Sequence, residues 1–211
     1  MYRVKEIFYS IQGEGYYSGR PAVFCRFSGC NLWSGKEEDR QKSLCRFCDT
    51  DFSGVDGTDG GEYETAAGLA DKIASLWPPK QETVRPFVVC TGGEPLLQLD
   101  DALIDALHER NIEIAVETNG TIGAPSGLDW ICVSPKASVP LVQKSGHELK
   151  LVYPQAGAEP QQYTGLDFRH FFLQPMDGPG GGSAVPETMA YVMAHPQWRI
   201  SLQLHKILNV R

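Results

Sequence analysis

Apolar positions along the chain follow two rhythms. Leu69, Ile73, Leu76 and Trp77 are spaced i, i+4, i+7, i+8, the mark of one helix face, and Pro78-Pro79 stop the run. Leu96, Leu99, Leu103 and Leu107 predict one face of a second helix, with Asn111 near its end. Pro186 suits the first turn of a third, in which Met189, Val192 and Met193 share a face and Pro196 ends the pattern. Between these lie short apolar runs that predict strands: 22–27, 87–90, 112–116, 130–133, 148–152, 171–173 and a segment from Trp198 to Leu204. Several are continuous rather than alternating, as in a parallel sheet covered on both faces. Strands alternating with helices predict an α/β fold.

Polar residues gather just after the strand ends, at Thr91-Gly92-Gly93-Glu94, Glu117-Thr118-Asn119-Gly120, Ser134-Pro135-Lys136 and Gln174-Pro175-Met176-Asp177. In α/β barrels and open α/β sheets, strand C-termini converge on the rim that binds ligands. Residues 31–44, 53–61 and 178–183 read as loops.

Composition adds boundaries. The 211 residues are 42% hydrophobic and 21% charged, the make-up of an ordinary globular protein, and one domain over 1–211 is the expectation. A formal charge of −7 argues against non-specific nucleic-acid binding. No apolar run is long enough to span a membrane, and Met1 to Glu6 lack the apolar core of a signal peptide, so a cytoplasmic protein is expected.

Six cysteines carry the sharpest signal. Cys25, Cys90 and Cys132 sit inside apolar strand runs and read as small buried hydrophobes. Cys45 and Cys48 form a C-x-x-C pair, and Cys30 lies fourteen intervening residues upstream. A structural zinc site wants a fourth Cys or His, and no His precedes His108. A thioredoxin-like redox pair has no use for a third Cys. An iron–sulfur cluster held by three thiolates leaves one iron open for a cofactor. Spacing alone does not choose among these.

Together with Thr91-Gly92-Gly93-Glu94-Pro95, the three cysteines resemble the radical S-adenosylmethionine (SAM) superfamily, although its usual first gap is three residues. The long gap, Ile11-Gln12-Gly13-Glu14-Gly15, the run from Arg26 to Trp33, the run from Cys45 to Phe52, and the polar stretches above together resemble the 7-carboxy-7-deazaguanine synthase family. That resemblance implies a partial, modified (β/α)6 TIM-like barrel with residues 31–44 inserted in the cluster-binding loop. It implies ring contraction of 6-carboxy-5,6,7,8-tetrahydropterin, with loss of ammonia, in queuosine and 7-deazapurine biosynthesis. It also implies a homodimer and an electron donor such as flavodoxin or ferredoxin, with no nucleic-acid or membrane partner.

Site roles follow from the same resemblance. Cys30, Cys45 and Cys48 would ligate a [4Fe–4S] cluster, and Thr50 would ligate Mg2+. SAM would meet Phe47, Cys48, Asp49, Gly93, Glu94, Glu117, Asn119, Ser134, Pro135, Lys136, Gln174, Pro175, Met176 and Asp177. Substrate would meet Ile11, Gln12, Gly13, Glu14, Arg26, Thr91 and Arg211, the last through a terminal carboxylate where the family pattern has Pro. No role falls to the histidines, and no protein side chain is assigned as the catalyst beyond the cofactor. A glycyl-radical activase and a non-enzymatic zinc-binding module are the competing readings.

Overall fold

A computed structural model describes residues 1–78, 84–177 and 184–211. The predicted loop at 178–183 and Pro79 lie outside them. Nine strands form one sheet: β1 (Tyr2–Ile11), β2 (Pro21–Phe27), β3 (Gly61–Tyr63), β4 (Phe87–Gly92), β5 (Glu113–Thr118), β6 (Trp130–Val133), β7 (Ser145–Tyr153), β8 (Asp167–Pro175) and β9 (Trp198–Ile200). Their order is β3-β1-β2-β4-β5-β6-β7-β8-β9. The pairs β1–β2 and β1–β3 are antiparallel, and β2 through β9 run parallel. Helices α1 (Ala66–Leu76), α2 (Asp101–His108) and α3 (Val185–Ala194) accompany some crossovers, while β5–β6, β6–β7 and β7–β8 are joined without an α-helix. The fold is thus α/β with a barrel-like parallel sheet from which helices have been pared away. Among the described residues no helix is long and apolar enough to cross a membrane.

Two faces of the sheet divide the work. Outward, Val23, Cys25, Val88, Cys90, Ile114 and Val116 pack beneath Leu69, Ile73, Leu103 and Leu107 of α1 and α2. Inward, Ala22, Phe87, Val89, Ala115, Trp130 and Cys132 fill the base of the concave side. Side chains alternate along a strand, so the same inward row continues toward the C-terminal ends. There the register aligns Arg26 with Thr91, Glu117 with Cys132, Lys150 with Phe172, and Val152 with Gln174. The apolar base excludes water; the polar rim makes a site.

Several elements differ from expectation. Strand β1 went unread because a register shift between Val4 and Glu6 breaks its alternation, and β3 is only three residues long. The four leucines do not share one helix. Asp100 accepts from the Leu103 amide and starts α2 there, while Leu96 sits in a 3-10 turn, Pro95–Leu97. All four remain buried. In α3 the methionine face points outward: Met189 is 55% and Met193 80% exposed, while Thr188 is buried and Tyr191 and Val192 meet the sheet. Strand β9 stops at Ile200, and Leu204 opens the short helix α4 (Leu204–Leu208). Ser201 turns the chain out of the sheet: its Oγ takes the Gly15 amide at 2.9 Å and lies 3.2 Å from Gln174 Oε1.

Asp100 caps α2 and also accepts from Tyr2 Oη at 2.7 Å, tying the first strand to the helix. Replacing Asp100 by Ala is expected to lower unfolding free energy by about 1–2 kcal/mol, checked by urea titration against Tyr2→Phe, which spares the cap and costs less.

Candidate active site

The rim residues enclose one cavity of ≈ 400 Å³. Every residue assigned a site role by resemblance lines it, except Glu94 and Pro135. Strand ends β2, β4, β5, β7 and β8 form the wall, the turn after β1 brings Gln12, Gly13 and Glu14, and residues 45–52 come from the opposite side.

The three thiols face this cavity together. Cys45 donates to Cys48, which holds the Cys48 thiol well below its ordinary range and pushes Cys45 up. Burial raises Cys30, whose sulfur accepts from the Leu32 amide at 3.4 Å. Among the described residues no group of three or more His, Cys, Asp or Glu is arranged to grip a single metal ion. Thiols on a four-iron cluster each hold a different iron and so stand further apart than on one zinc. Three thiols lining one cavity fit such a cluster.

The glycines at the end of β4, Gly92 and Gly93, bring the first thiol into place. Gly92 has φ +128°, and a Cβ there would lie 2.2 Å from the Phe27 carbonyl oxygen; at Gly93 it would lie 2.0 Å from the Gly29 carbonyl oxygen and 2.9 Å from the Cys30 Cβ. Only glycine allows this approach. The Glu94 amide then donates to the Gly29 carbonyl at 2.9 Å.

Glu94 itself is fully buried, away from the cavity. Its carboxylate accepts from the Leu96 amide (3.0 Å), Thr118 Oγ1 (2.8 Å) and the Asn119 amide (2.8 Å). Burial pushes its carboxyl up, and these donors oppose that shift. Its side chain therefore fixes the β5 loop. Pro135 is likewise buried beneath the lining. Asn119 Nδ2 donates to Asn31 Oδ1 at 3.0 Å, joining that loop to the segment after Cys30. Lys136 folds back on Ser134, with its Nζ 2.7 Å from the carbonyl oxygen and 2.8 Å from Oγ, and sits 5.9 Å from the centre of the Phe47 ring.

One polar network on the inner wall centres on a residue that carries no motif in the sequence. Lys150 of β7 is buried, its ammonium 2.5 Å from Glu14 Oε2 and 3.3 Å from Glu117 Oε2. Gln12 Nε2 donates to Glu117 Oε1 at 2.8 Å. Gln174 and Gln203 donate to Glu14 Oε1 at 3.0 and 2.9 Å. Burial pushes the Glu14 carboxyl up, but Lys150, with help from Gln203 and His205, outweighs it and holds the group ionised. Burial opposes the Lys150 charge too, and Glu117 and Glu14 more than restore it. Lys206 completes the rim, bridging Asp49 (3.0 Å), Asp177 (2.7 Å) and Gln203 (2.9 Å). His205 packs against Gly13 and lines the cavity.

On the opposite wall Glu6 serves two cations. Arg26 Nε donates to its Oε1 at 2.9 Å, and Arg211 donates to its Oε2. Arg211 also reaches Thr58 Oγ1 at 2.7 Å.

No family model matches the chain. The 7-carboxy-7-deazaguanine synthase of Bradyrhizobium diazoefficiens is 61% identical over 210 residues, covering 100% of this chain and 99% of that protein. The one from Caulobacter vibrioides is 59% identical, covering 99% of each. Among solved structures, QueE from Escherichia coli superposes with a TM-score of 0.71 at 25% identity, covering 96% of this chain and 93% of that one.

Removing the central cation tests the network. Lys150→Met leaves two partly buried carboxylates without their cation and is expected to cost up to about 3 kcal/mol at neutral pH. In the wild type the Glu14 pairing is present above the ordinary carboxylate range and is lost as pH falls through its lowered value. In the variant Glu14 loses the cation that holds its carboxyl down and takes up a proton sooner. The stability deficit should therefore shrink on acidification, as followed by denaturant titrations between neutral pH and about pH 5, a window set by linkage.

Proposed function

The chain belongs to the 7-carboxy-7-deazaguanine synthase family, and on that premise we propose that it converts 6-carboxy-5,6,7,8-tetrahydropterin to 7-carboxy-7-deazaguanine with loss of ammonia. The observation that carries the reading is the convergence of Cys30, Cys45 and Cys48 with the polar strand ends on one cavity. A [4Fe–4S] cluster with SAM on its open iron supplies, when bound, the one-electron chemistry that such a ring contraction needs. Family membership removes the activase and zinc-module readings.

The chain's own residues bind and orient. Cys30, Cys45 and Cys48 would hold the cluster. SAM would lie along Phe47, Asp49, Gly93, Glu117, Asn119, Ser134, Lys136 and Gln174 to Asp177, with Glu94 and Pro135 supporting from beneath. Gly92 and Gly93 leave backbone exposed to the cavity, where a SAM ammonium finds carbonyls.

Substrate would take the opposite side, against Ile11 to Glu14, Arg26, Thr91 and Arg211. Its carboxylate meets the Arg26 guanidinium, which Glu6 orients through Nε. Glu14 is an acceptor for the amino and amide edge of a pterin. Three of its carboxylate's four acceptor sites are engaged by Lys150, Gln174 and Gln203, which leaves one for substrate. The apolar base of Phe24 and its neighbours keeps water from the reacting ring. Mg2+ would sit at Thr50 and take its other oxygens from water and substrate, because that hard ion tolerates few protein ligands.

In this reading residues 1–211 act as one radical SAM domain in the cytoplasm, with 31–44 as its insertion. A flavodoxin or ferredoxin delivers the electron. The exposed Met189 and Met193 offer an apolar face to a second copy in a homodimer. The charge of −7 supports a small-molecule partner over nucleic acid, and this reading includes no membrane partner.

Anaerobic reconstitution followed by assay with 6-carboxytetrahydropterin, SAM, a reductant and Mg2+ tests the proposal. The expected outcome is iron and sulfide uptake, formation of 7-carboxy-7-deazaguanine, and no SAM consumption in step with product. Zinc in place of iron, or no turnover by cluster-loaded protein, would overturn it. Cys30→Ala is expected to lose the cluster signal, and Arg26→Gln to raise KM for the pterin at least tenfold, the value of one charge-assisted hydrogen bond.

A further inference from the structure

Residues 31–44 separate the first thiol from the pair, and none of the roles above uses them. They form a folded module rather than slack chain. Leu44 N donates to the Leu32 carbonyl at 3.1 Å and closes the base. Trp33 is buried, donates Nε1 to the Lys36 carbonyl at 3.1 Å, and meets Phe52 edge-on at 5.6 Å. A 3-10 turn, Glu37–Lys42, runs across the top.

Arg40 is where this module reaches the cysteines. Its guanidinium carbon lies 4.2 Å from the centre of the Trp33 ring. Nε faces both Glu37 oxygens, at 2.9 and 2.7 Å. Nη1 donates to the carbonyls of Arg46 and Cys48, at 3.0 Å each. Ser43 Oγ lies within hydrogen-bond distance of the Arg40 and Cys45 carbonyls, at 2.7 and 3.0 Å. Two carbonyls that converge repel each other unless one donor serves both. A guanidinium nitrogen has two hydrogens for them, while its flat face stacks on an indole. Lysine has no such planar fork, and arginine keeps its charge at any working pH.

We propose that Arg40 is a positioning residue for the iron–sulfur cluster: it clamps the Cys45–Cys48 turn in its ligand-ready shape before any metal arrives, and its fixed positive charge lies behind those two ligands. The inference rests on the reading of Cys45 and Cys48 as cluster ligands. Pre-ordering spares the cluster the cost of ordering its own loop. A nearby cation favours the reduced cluster, which carries one more negative charge.

Arg40→Gln and Glu37→Gln separate the clamp from the mere folding of the insertion, because Glu37 touches Arg40 but neither carbonyl. In metal-free protein, hydrogen–deuterium exchange over residues 45–50 should speed up roughly tenfold or more in Arg40→Gln and stay near wild type in Glu37→Gln. After reconstitution, Arg40→Gln should show a more negative cluster midpoint potential, with Glu37→Gln again near wild type. Unchanged exchange in Arg40→Gln, or equal changes in both variants, would overturn the proposal. A wild-type protein that takes up no iron would overturn the cluster reading itself, and the exchange comparison would still decide whether Arg40 orders the turn.

Discussion

A buried ammonium needs its counter-charges brought to it, and Lys150 obtains them from two distant parts of the chain. Glu14 arrives from the turn after β1 and Glu117 from β5, both against a residue on β7. Removed from water, the amine is not tolerable alone, and two partly buried carboxylates neutralise it. Their mutual neutralisation makes the inner wall of the cavity possible. It also fixes which atoms stay free, because Gln12, Gln174 and Gln203 occupy most of what the carboxylates offer.

The same network joins the two halves of the cavity. Gln203 donates to Glu14 and accepts from Lys206, and Lys206 holds Asp49 beside Cys48 and Asp177 beyond β8. The turn after β1 and the segment that carries Asp49 therefore share one run of hydrogen bonds. Glu94 does similar work outside the cavity, binding the β4 and β5 loops to each other. The motif that follows β4 is thus partly chemistry and partly carpentry: the two glycines admit the Cys30 loop, and the glutamate secures the neighbouring one.

Much of this was legible from pattern. Apolar runs located β2 and β4 to β8, and the polar stretches behind four of them do meet at one rim. What escaped did so for physical reasons. Glu148-Leu149-Lys150-Leu151 reads as a strand with one wet face. Only the curvature of the sheet turns that face inward and makes Lys150 a buried ion, and no local signal in the sequence reports curvature. The bulge in β1 hid its alternation. The leucines at 96, 99, 103 and 107 keep helical spacing and are all buried, yet a competing cap at Asp100 splits them. In α3 the methionines mimic a core face, but Thr188, Tyr191 and Val192 are the residues that pack. Glu94 shows the limit of motif reading, since the spacing marks the loop without saying which way a carboxylate points.

The segment from Ser201 onward crosses the mouth of the cavity and fastens to the beginning of the chain: Leu204 N donates to the Gly13 carbonyl, Ser201 Oγ accepts from Gly15, and Arg211 joins Glu6 and Thr58. These contacts span almost the whole sequence. Closing so long a loop is slow relative to local pairing, so they form late in folding. That side of the cavity is therefore walled by contacts between residues far apart in the chain, and without the segment from Ser201 onward Gln12 to Glu14 would lose their cover.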